Sequence, residues 1–346
     1  MRQLAGTETG VPTGYLAEAG DLGWFAMLLP EDQGGGSVSG EPIRDLALVA
    51  EERGRGLQPG PFVPLNVVAA AIARSGSPAQ RSAVLTAIAG GRSVATWAAA
   101  TIAGEWRPGE GVHARLDGEE WVLDGGAGLV QDAAVADWLL VAAGAPEGLT
   151  QFLVPGDTPG ITVARHHGHD ITQRFDEVRF EGVRIPGDAV LGTAGQAEEC
   201  IEAQLRLALV LEACESVGAA DVLFEMAREY AVDRTAFGRP IGSFQAVKHQ
   251  LADMSLSLEA AKAVVAAAVR AVQDEAPDAG EVASMAKAWT GDVGIDIAQG
   301  CFQVFGGIGY TWEHDSHLFL RRLTMNSLLF GQPDFHRERI CALHQI

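Results

Sequence analysis

The sequence predicts an α+β chain in three successive parts: a helical domain over residues 1–92, a middle antiparallel β-barrel or sandwich over 93–195, and a C-terminal helical bundle over 196–346. Three observations carry this expectation. Residues 12–92 are rich in Ala and Leu and break where Gly and Pro cluster. Residues 93–195 change to short aromatic and branched runs, each closed by Gly, Asp or Pro, with no helical period between them. In the last part Phe244, Val247, Leu251, Met254, Leu258 and Ala261 recur at intervals of three and four, which lays one apolar stripe along a long helix.

In the first part the breaks fall at Leu29-Pro30-Glu31-Asp32-Gln33-Gly34-Gly35-Gly36 and at Pro59-Gly60-Pro61. Gly lacks backbone restraint and Pro lacks a donor, so both stretches end helices. No Gly-Lys-Ser/Thr follows the glycine triplet, and a turn rather than a phosphate cradle is expected there. In the middle part the strands are Trp121-Val122-Leu123, Trp138-Leu139-Leu140-Val141, Gln151-Phe152-Leu153-Val154, Ile161-Thr162-Val163 and Val178-Arg179-Phe180; the first is expected to stop at Asp124-Gly125. A parallel nucleotide-binding sheet would need helices in the gaps. Residues 208–233 and 282–305 share the Ala-rich character of the striped segment, so a bundle closes the chain.

With 346 residues, 47% of them apolar, there is enough chain to bury two or three cores. The 45 acidic and 25 basic residues leave a formal net charge of -20, which argues against nucleic acid as a partner, because a phosphate-tracking surface needs a basic excess. A local Arg can still bind a phosphorylated ligand against that field, and Arg234 and Arg239 are candidates. Cys200, Cys214, Cys301 and Cys341 lack C-x-x-C spacing and read as buried thiols of a reducing compartment. His166-His167-Gly168-His169-Asp170 is too tightly spaced, on a loop without further ligands, to be expected to hold zinc. The N-terminus opens without an apolar run and no stretch reaches about 18 apolar residues, so a cytoplasmic protein is expected, neither secreted nor membrane-spanning.

Two stretches bear most on function: Arg234-Thr235-Ala236-Phe237-Gly238-Arg239-Pro240-Ile241-Gly242-Ser243-Phe244-Gln245, and Gln303-Val304-Phe305-Gly306-Gly307-Ile308-Gly309-Tyr310. Taken singly, Arg234 and Gln245 read as solvated surface residues. Joined with Leu22-Gly23-Trp24-Phe25, the Pro30-Glu31 turn, Leu123-Asp124-Gly125 and Val178-Arg179-Phe180-Glu181-Gly182-Val183-Arg184-Ile185-Pro186, they make nearly the whole chain resemble the acyl-CoA dehydrogenase family. The resemblance implies that family's fold and its activity: FAD-dependent α,β-dehydrogenation of an acyl-CoA thioester, with electron-transferring flavoprotein as acceptor. It also implies a site. Arg234 would face the FAD pyrophosphate of a neighbouring subunit, where a guanidinium fork matches phosphate oxygens. Phe237 would pack beside the cofactor, Gln245 would supply an amide contact, and Gln303 with Gly306 and Gly307 would lie along the dinucleotide, where a missing Cβ permits close approach.

The chain departs from the family at the flavin ring and at the base. Where members carry a Thr-Glu-Pro run, this chain has Ala98-Ala99-Ala100-Thr101-Ile102-Ala103-Gly104-Glu105-Trp106; where they carry Trp-Ile-Thr/Ser, it has Gly128-Leu129-Val130-Gln131. A buried ring edge needs hydrogen-bond partners, and these segments offer few. The catalytic Glu position falls on Phe330, and the alternative position on the first long bundle helix falls on Ala208; neither can accept a proton. No catalytic residue is therefore expected, and Glu202, Glu212 and Glu215 are expected to be solvated acids. The resemblance then implies the non-catalytic subunit of an α2β2 acyl-CoA dehydrogenase of the steroid side-chain type, completing the FAD site of a homologous catalytic partner. Two alternatives stay open: a homotetrameric dehydrogenase with a relocated base, and a flavin-free scaffold of the same fold.

Overall fold

The computed structural model describes residues 10–345. Four helices come first: α1 (Tyr15–Asp21), α2 (Pro42–Arg55), α3 (Phe62–Ser75) and α4 (Pro78–Ala89). The glycine triplet is a turn, in which a short 3-10 segment ends at Gly34 in the left-handed region. The start of α4 shows why a helix begins there. Ser77 Oγ accepts from the Gln80 backbone N–H at 3.2 Å, Gln80 Oε1 accepts from the Ser77 N–H at 2.9 Å, and Pro78 opens the first turn.

Strands β1 (Ala95–Ala98), β2 (Gly109–Asp117), β3 (Glu120–Gln131), β4 (Trp138–Ala145), β5 (Gly148–Pro155), β6 (Ile161–Arg165), β7 (Phe175–Pro186) and β8 (Val190–Leu191) form one sheet in the order β6-β7-β3-β2-β4-β5-β8, with β1 also on β4. Most pairings are antiparallel, as the sequence predicts. β1 and β2 instead pair with β4 in parallel, because the β3–β4 connection crosses over through Ala133–Val135 and does not fold back as a hairpin. A second difference concerns Asp124-Gly125, which does not end its strand. The register shifts between Leu123 and Gly125, Gly125 takes a φ of 120°, and β3 continues to Gln131. Alternation along β7 buries Val178, Phe180, Val183 and Ile185 and leaves Arg179 and Arg184 outside. Trp121 meets Phe152 edge-on at 5.3 Å inside this sheet core.

The bundle comprises α5 (Glu198–Asp233), a short hairpin of β9 (Thr235–Ala236) and β10 (Arg239–Pro240), then α6 (Gln245–Gln273), α7 (Ala279–Phe305), α8 (Ser316–Leu328) and α9 (Pro333–His344). Of the predicted stripe on α6, Met254, Leu258 and Ala261 are buried, while Phe244, Val247 and Leu251 at its start are half-buried. Among the described residues no helix is long and apolar enough to cross a membrane. The four cysteines are free thiols; Cys214 and Cys301 are buried, and Cys200 and Cys341 are half-buried.

The contact of α2 with α5 corrects one expectation. A Cβ on Gly54 would lie 1.9 Å from the Glu215 carbonyl oxygen, and one on Gly218 would lie 2.1 Å from that of Glu51, so the two helices meet backbone to backbone. This approach seals the α5 face that carries Glu212 and Glu215, which are 2% and 3% exposed rather than solvated. Each acid is held inside by a cation brought from another helix. Glu202 remains at the surface, paired with Arg339.

Candidate functional site

The three bundle helices bring the residues of the two motifs to one end. α5 ends at Arg234, where the Arg234 N–H caps the Tyr230 carbonyl at 2.8 Å; the Tyr230 ring then meets Phe305 of α7 at 5.5 Å. Gln250 near the start of α6 donates to the Gly300 carbonyl of α7 at 3.1 Å. The Arg234 turn, the N-terminus of α6 and the Gly306-Gly307 turn therefore share one face of the molecule. Arg234, Phe237, Gln245, Gln303 and Gly307 are exposed there, and Gly306 is half-buried. The side chains of Arg234, Gln245 and Gln303 make no hydrogen bond or ion pair among the described residues.

Two details of this end bear on what it can hold. Phe237 is 97% exposed at a φ of 52°, a large apolar ring held in the left-handed region of a tight hairpin, with only Phe244 beside it at 6.2 Å. Gly306 takes a φ of 62° and a Cβ at Gly306 or Gly307 would meet nothing within 4 Å, so the backbone there is open to a close neighbour. Arg239 is spent differently: its guanidinium stacks 4.1 Å over Phe244 and braces the hairpin. Open guanidinium, open amides, a bare glycine turn and an exposed ring fit the nucleotide half of a dinucleotide.

The cleft between the β-sheet and the bundle is the opposite case. Phe330 packs against Trp97 and Trp106 with ring centroids 5.9 Å from each, and the two indoles meet at 4.9 Å. Trp97 and Trp106 are buried. The Phe330 carbonyl, in a turn with a φ of 56°, accepts from His336 Nε2 at 3.1 Å. Burial, aided by the nearby Lys287 charge, pushes His336 down to about 3, so its ring is neutral and the bond persists across the working pH range. Ala208 lies wholly in the core.

The two segments expected to face a flavin ring are closed on themselves. Thr101 N–H donates to the Glu105 carbonyl at 3.0 Å, and the Thr101 carbonyl accepts from Gly104 at 2.8 Å and from Gly128 at 3.1 Å. Gln131 turns inward, its amide nitrogen donating to the Gly60 carbonyl at 3.1 Å. The polar groups of these two segments are thus engaged with one another and offer the ring half of FAD few partners, while the buried Trp97 Nε1–H beside them is left without one.

Behind the cleft lie charges that the sequence reading placed at the surface or left unassigned. Arg322 is fully buried; its Nε donates to Asp170 at 2.9 Å, Nη1 to Glu215 at 2.5 Å, and Nη2 to Thr172 Oγ1 at 2.6 Å and the Gln58 carbonyl at 3.2 Å. Burial works against its charge, and the two carboxylates more than offset this, so its pKa stands above the ordinary value. Asp170, from the His-rich loop, is consumed in this clamp; no cluster able to hold a metal occurs among the described residues. One turn from Ala208, Glu212 pairs with Lys287 at 2.5 Å, and Lys287 also reaches the Asn326 carbonyl. Burial raises Glu212 and lowers Lys287. Arg53, also buried, donates to Tyr15 Oη at 2.6 Å and to the Pro59 carbonyl at 3.0 Å. Trp97, Arg322 and Lys287 were not singled out from sequence. The one available signal was an Arg321-Arg322 pair in a helical segment with no acid of its own, which asks for acids from elsewhere.

Comparison with known proteins agrees with this architecture. Residues 2–92 match the model of the acyl-CoA dehydrogenase N-terminal domain, and residues 193–343 match that of the acyl-CoA dehydrogenase C-terminal domain. The probable acyl-CoA dehydrogenase FadE25 of Mycobacterium tuberculosis is 29% identical over 94% of this chain and 86% of its own length. The human mitochondrial short-chain specific acyl-CoA dehydrogenase is 28% identical over 94% and 81%. Among solved structures, a variant of the Tcur3481-Tcur3483 steroid ACAD superposes with a TM-score of 0.88 at 29% identity, covering 99% of this chain and 91% of that one. Members of this family are oxidoreductases that bind FAD. With both domain models matched and the three-part fold shared, the chain belongs to the acyl-CoA dehydrogenase family.

Proposed function

We propose that this chain is the base-lacking subunit of a two-component acyl-CoA dehydrogenase, contributing its bundle end to the FAD site of a homologous catalytic partner. The carrying observation is Phe330 packed between Trp97 and Trp106 where a proton-accepting carboxylate would be needed. Phenylalanine cannot remove an α-proton. Arg234, Phe237, Gln245, Gln303, Gly306 and Gly307 hold the nucleotide half in this reading, with Arg234 on a phosphate. Bound in the complex, FAD would supply the hydride acceptor; this chain's own residues would only position its nucleotide end. The Tcur3481-Tcur3483 steroid ACAD bears a two-component name and supports the paired arrangement. The substrate is an acyl-CoA thioester, the acceptor electron-transferring flavoprotein and the compartment the cytoplasm.

A relocated base finds little support. Glu212 is the acid nearest Ala208 along α5, yet it is sealed inside and held by Lys287. The test is co-expression with a homologous chain that carries the catalytic Glu. The expected complex is yellow, oxidises acyl-CoA and holds half the flavin per protomer of a single-chain member, while this chain purified alone is colourless. A chain that is yellow and active by itself would establish the relocated-base reading instead. A pair that forms without flavin would leave the scaffold reading standing.

A further inference from the structure

A cavity of about 560 Å³ opens between α3, the first turns of α5 and the α6–α7 turn, on the helical side of the molecule. Phe330, Trp97, Trp106 and Ala208 are not among its lining residues, nor is any residue of the bundle end. Its size lies in the range of small-molecule sites. Val67, Ala71, Leu207 and Val272 make its walls apolar.

The polar groups on this lining are unevenly satisfied. Gln204, 4% exposed, is tied to Gln151 by two reciprocal amide bonds of 2.8 Å and keeps one donor and one acceptor direction unused. Arg206 is half-buried and makes no hydrogen bond or ion pair among the described residues. The carboxylate one helical turn before it, Glu202, is claimed by Arg339 at 3.0 Å. Arg74, at the same cavity, has only Glu199 at 3.8 Å, and both are largely exposed. A guanidinium that has given up part of its hydration beside apolar walls, without an acceptor, is a place for an external anion.

We propose that this cavity binds an amphipathic carboxylate, its aliphatic body against Val67, Leu207 and Val272 and its head group on Arg206. The site is proposed for binding only; of the other reactive groups on its lining, the Cys200 thiol lies 3.0 Å from Ser75 Oγ, and Glu199 and Glu275 are the carboxylates. It does not depend on the two-component reading, because it shares no residue with either half of the flavin region. A ligand there would bridge the N-terminal helices to the α6–α7 turn and so tie the first part of the chain to the bundle.

The test is calorimetric titration of the full-length chain with octanoate and, as the uncharged match, octanol. Octanoate is expected to bind saturably and about ten-fold tighter than octanol, the scale of a charge-assisted hydrogen bond. In Arg206→Met the two ligands should bind alike; in Ala203→Trp, which fills the cavity, neither should bind. Both variants should keep the wild-type circular dichroism and melting curve, which separates loss of the site from loss of the fold. Absence of saturable octanoate binding to the folded wild type, or octanol binding as tightly as octanoate, would overturn the proposal. So would octanoate affinity unchanged in both variants.

Discussion

The exposed bundle end and the aromatic cleft, the two regions proposed to bear on a flavin, differ in how finished they are. At the bundle end Arg234, Gln245 and Gln303 stand exposed with no partner among the described residues, and Phe237 presents almost its whole ring to solvent. In the cleft, Trp97, Trp106 and Phe330 pack on one another, although the buried Trp97 Nε1–H has no hydrogen-bond partner, and the loop at Thr101 spends its backbone groups internally. A large exposed ring marks a surface that something covers, and exposed donors are free to trade water for a ligand, whereas the aromatic cluster already buries its rings against one another. The same polypeptide thus carries one surface built to be completed from outside and one already closed from within. On the reading proposed above, that asymmetry, rather than Phe330 alone, is what would separate this chain from a dehydrogenase with a single mutated base.

The closed half should respond most strongly to substitution. Arg322→Met removes the cation that holds Asp170 and Glu215, leaving two buried carboxylates unpaired, and should lower stability by about 3–5 kcal/mol in urea denaturation. A loss below about 1 kcal/mol would show that the clamp is not what closes the cleft. Next in size is Phe330→Glu, which puts an unpaired acid between two indoles and should cost about 2–4 kcal/mol. It should also leave the chain inactive toward acyl-CoA in a dye-reduction assay, because the segments at Thr101 and Gln131 still offer the ring no partners. Activity restored by this one change would erase the distinction between the two halves.

The fold was legible because its signals are periodic. The α6 stripe and the turn-punctuated strands state their elements residue by residue, and the Arg234 and Gln303 motifs are local strings. The closure of the cleft was not legible, since Trp97, Trp106 and Phe330 come together from β1, the loop after it and the turn beyond α8. Charge placement failed for a related reason. Glu212 and Glu215 look like a polar face at spacing three, and only the Gly54–Gly218 approach of α2 and the arrival of Lys287 and Arg322 make them interior. A register shift opposite Asp124-Gly125, where β7 carries one extra residue, hid the length of β3 in the same way, by letting a turn signal serve inside a strand.

Asp132 offers a smaller and pH-dependent probe of the closed half. Burial, reinforced by Asp176, raises its carboxyl to about 7, and its Oδ2 has no hydrogen-bond partner. Because the folded value stands above the unfolded value of about 3.9, the group's contribution to stability is fully present below about pH 4 and is lost as pH rises through 7. Asp132→Asn keeps the shape, tolerates the left-handed backbone at a φ of 53° and removes the charge. The stability difference between variant and wild type should therefore widen from pH 4 to pH 7 and level off above it, by about 4 kcal/mol in the variant's favour. Parallel curves would mean that Asp132 ionises without penalty.

The open half should show the smallest change in stability and the clearest change in function. The Arg234 side chain is exposed and makes no hydrogen bond or ion pair among the described residues, so Arg234→Ala should shift stability by less than about 0.5 kcal/mol, within the range of surface substitutions. If the guanidinium meets a phosphate of FAD, the same variant should lower the flavin content of the co-purified complex, measured by absorbance against protomer concentration, and Arg234→Lys should restore it only in part because the ammonium cannot match two oxygens at once. An unaltered flavin content with normal assembly would mean that the exposed end serves subunit contact alone. Stability and flavin content have to be read together here, because a residue that does nothing for the isolated fold and much for the complex is what an interface completed from outside requires.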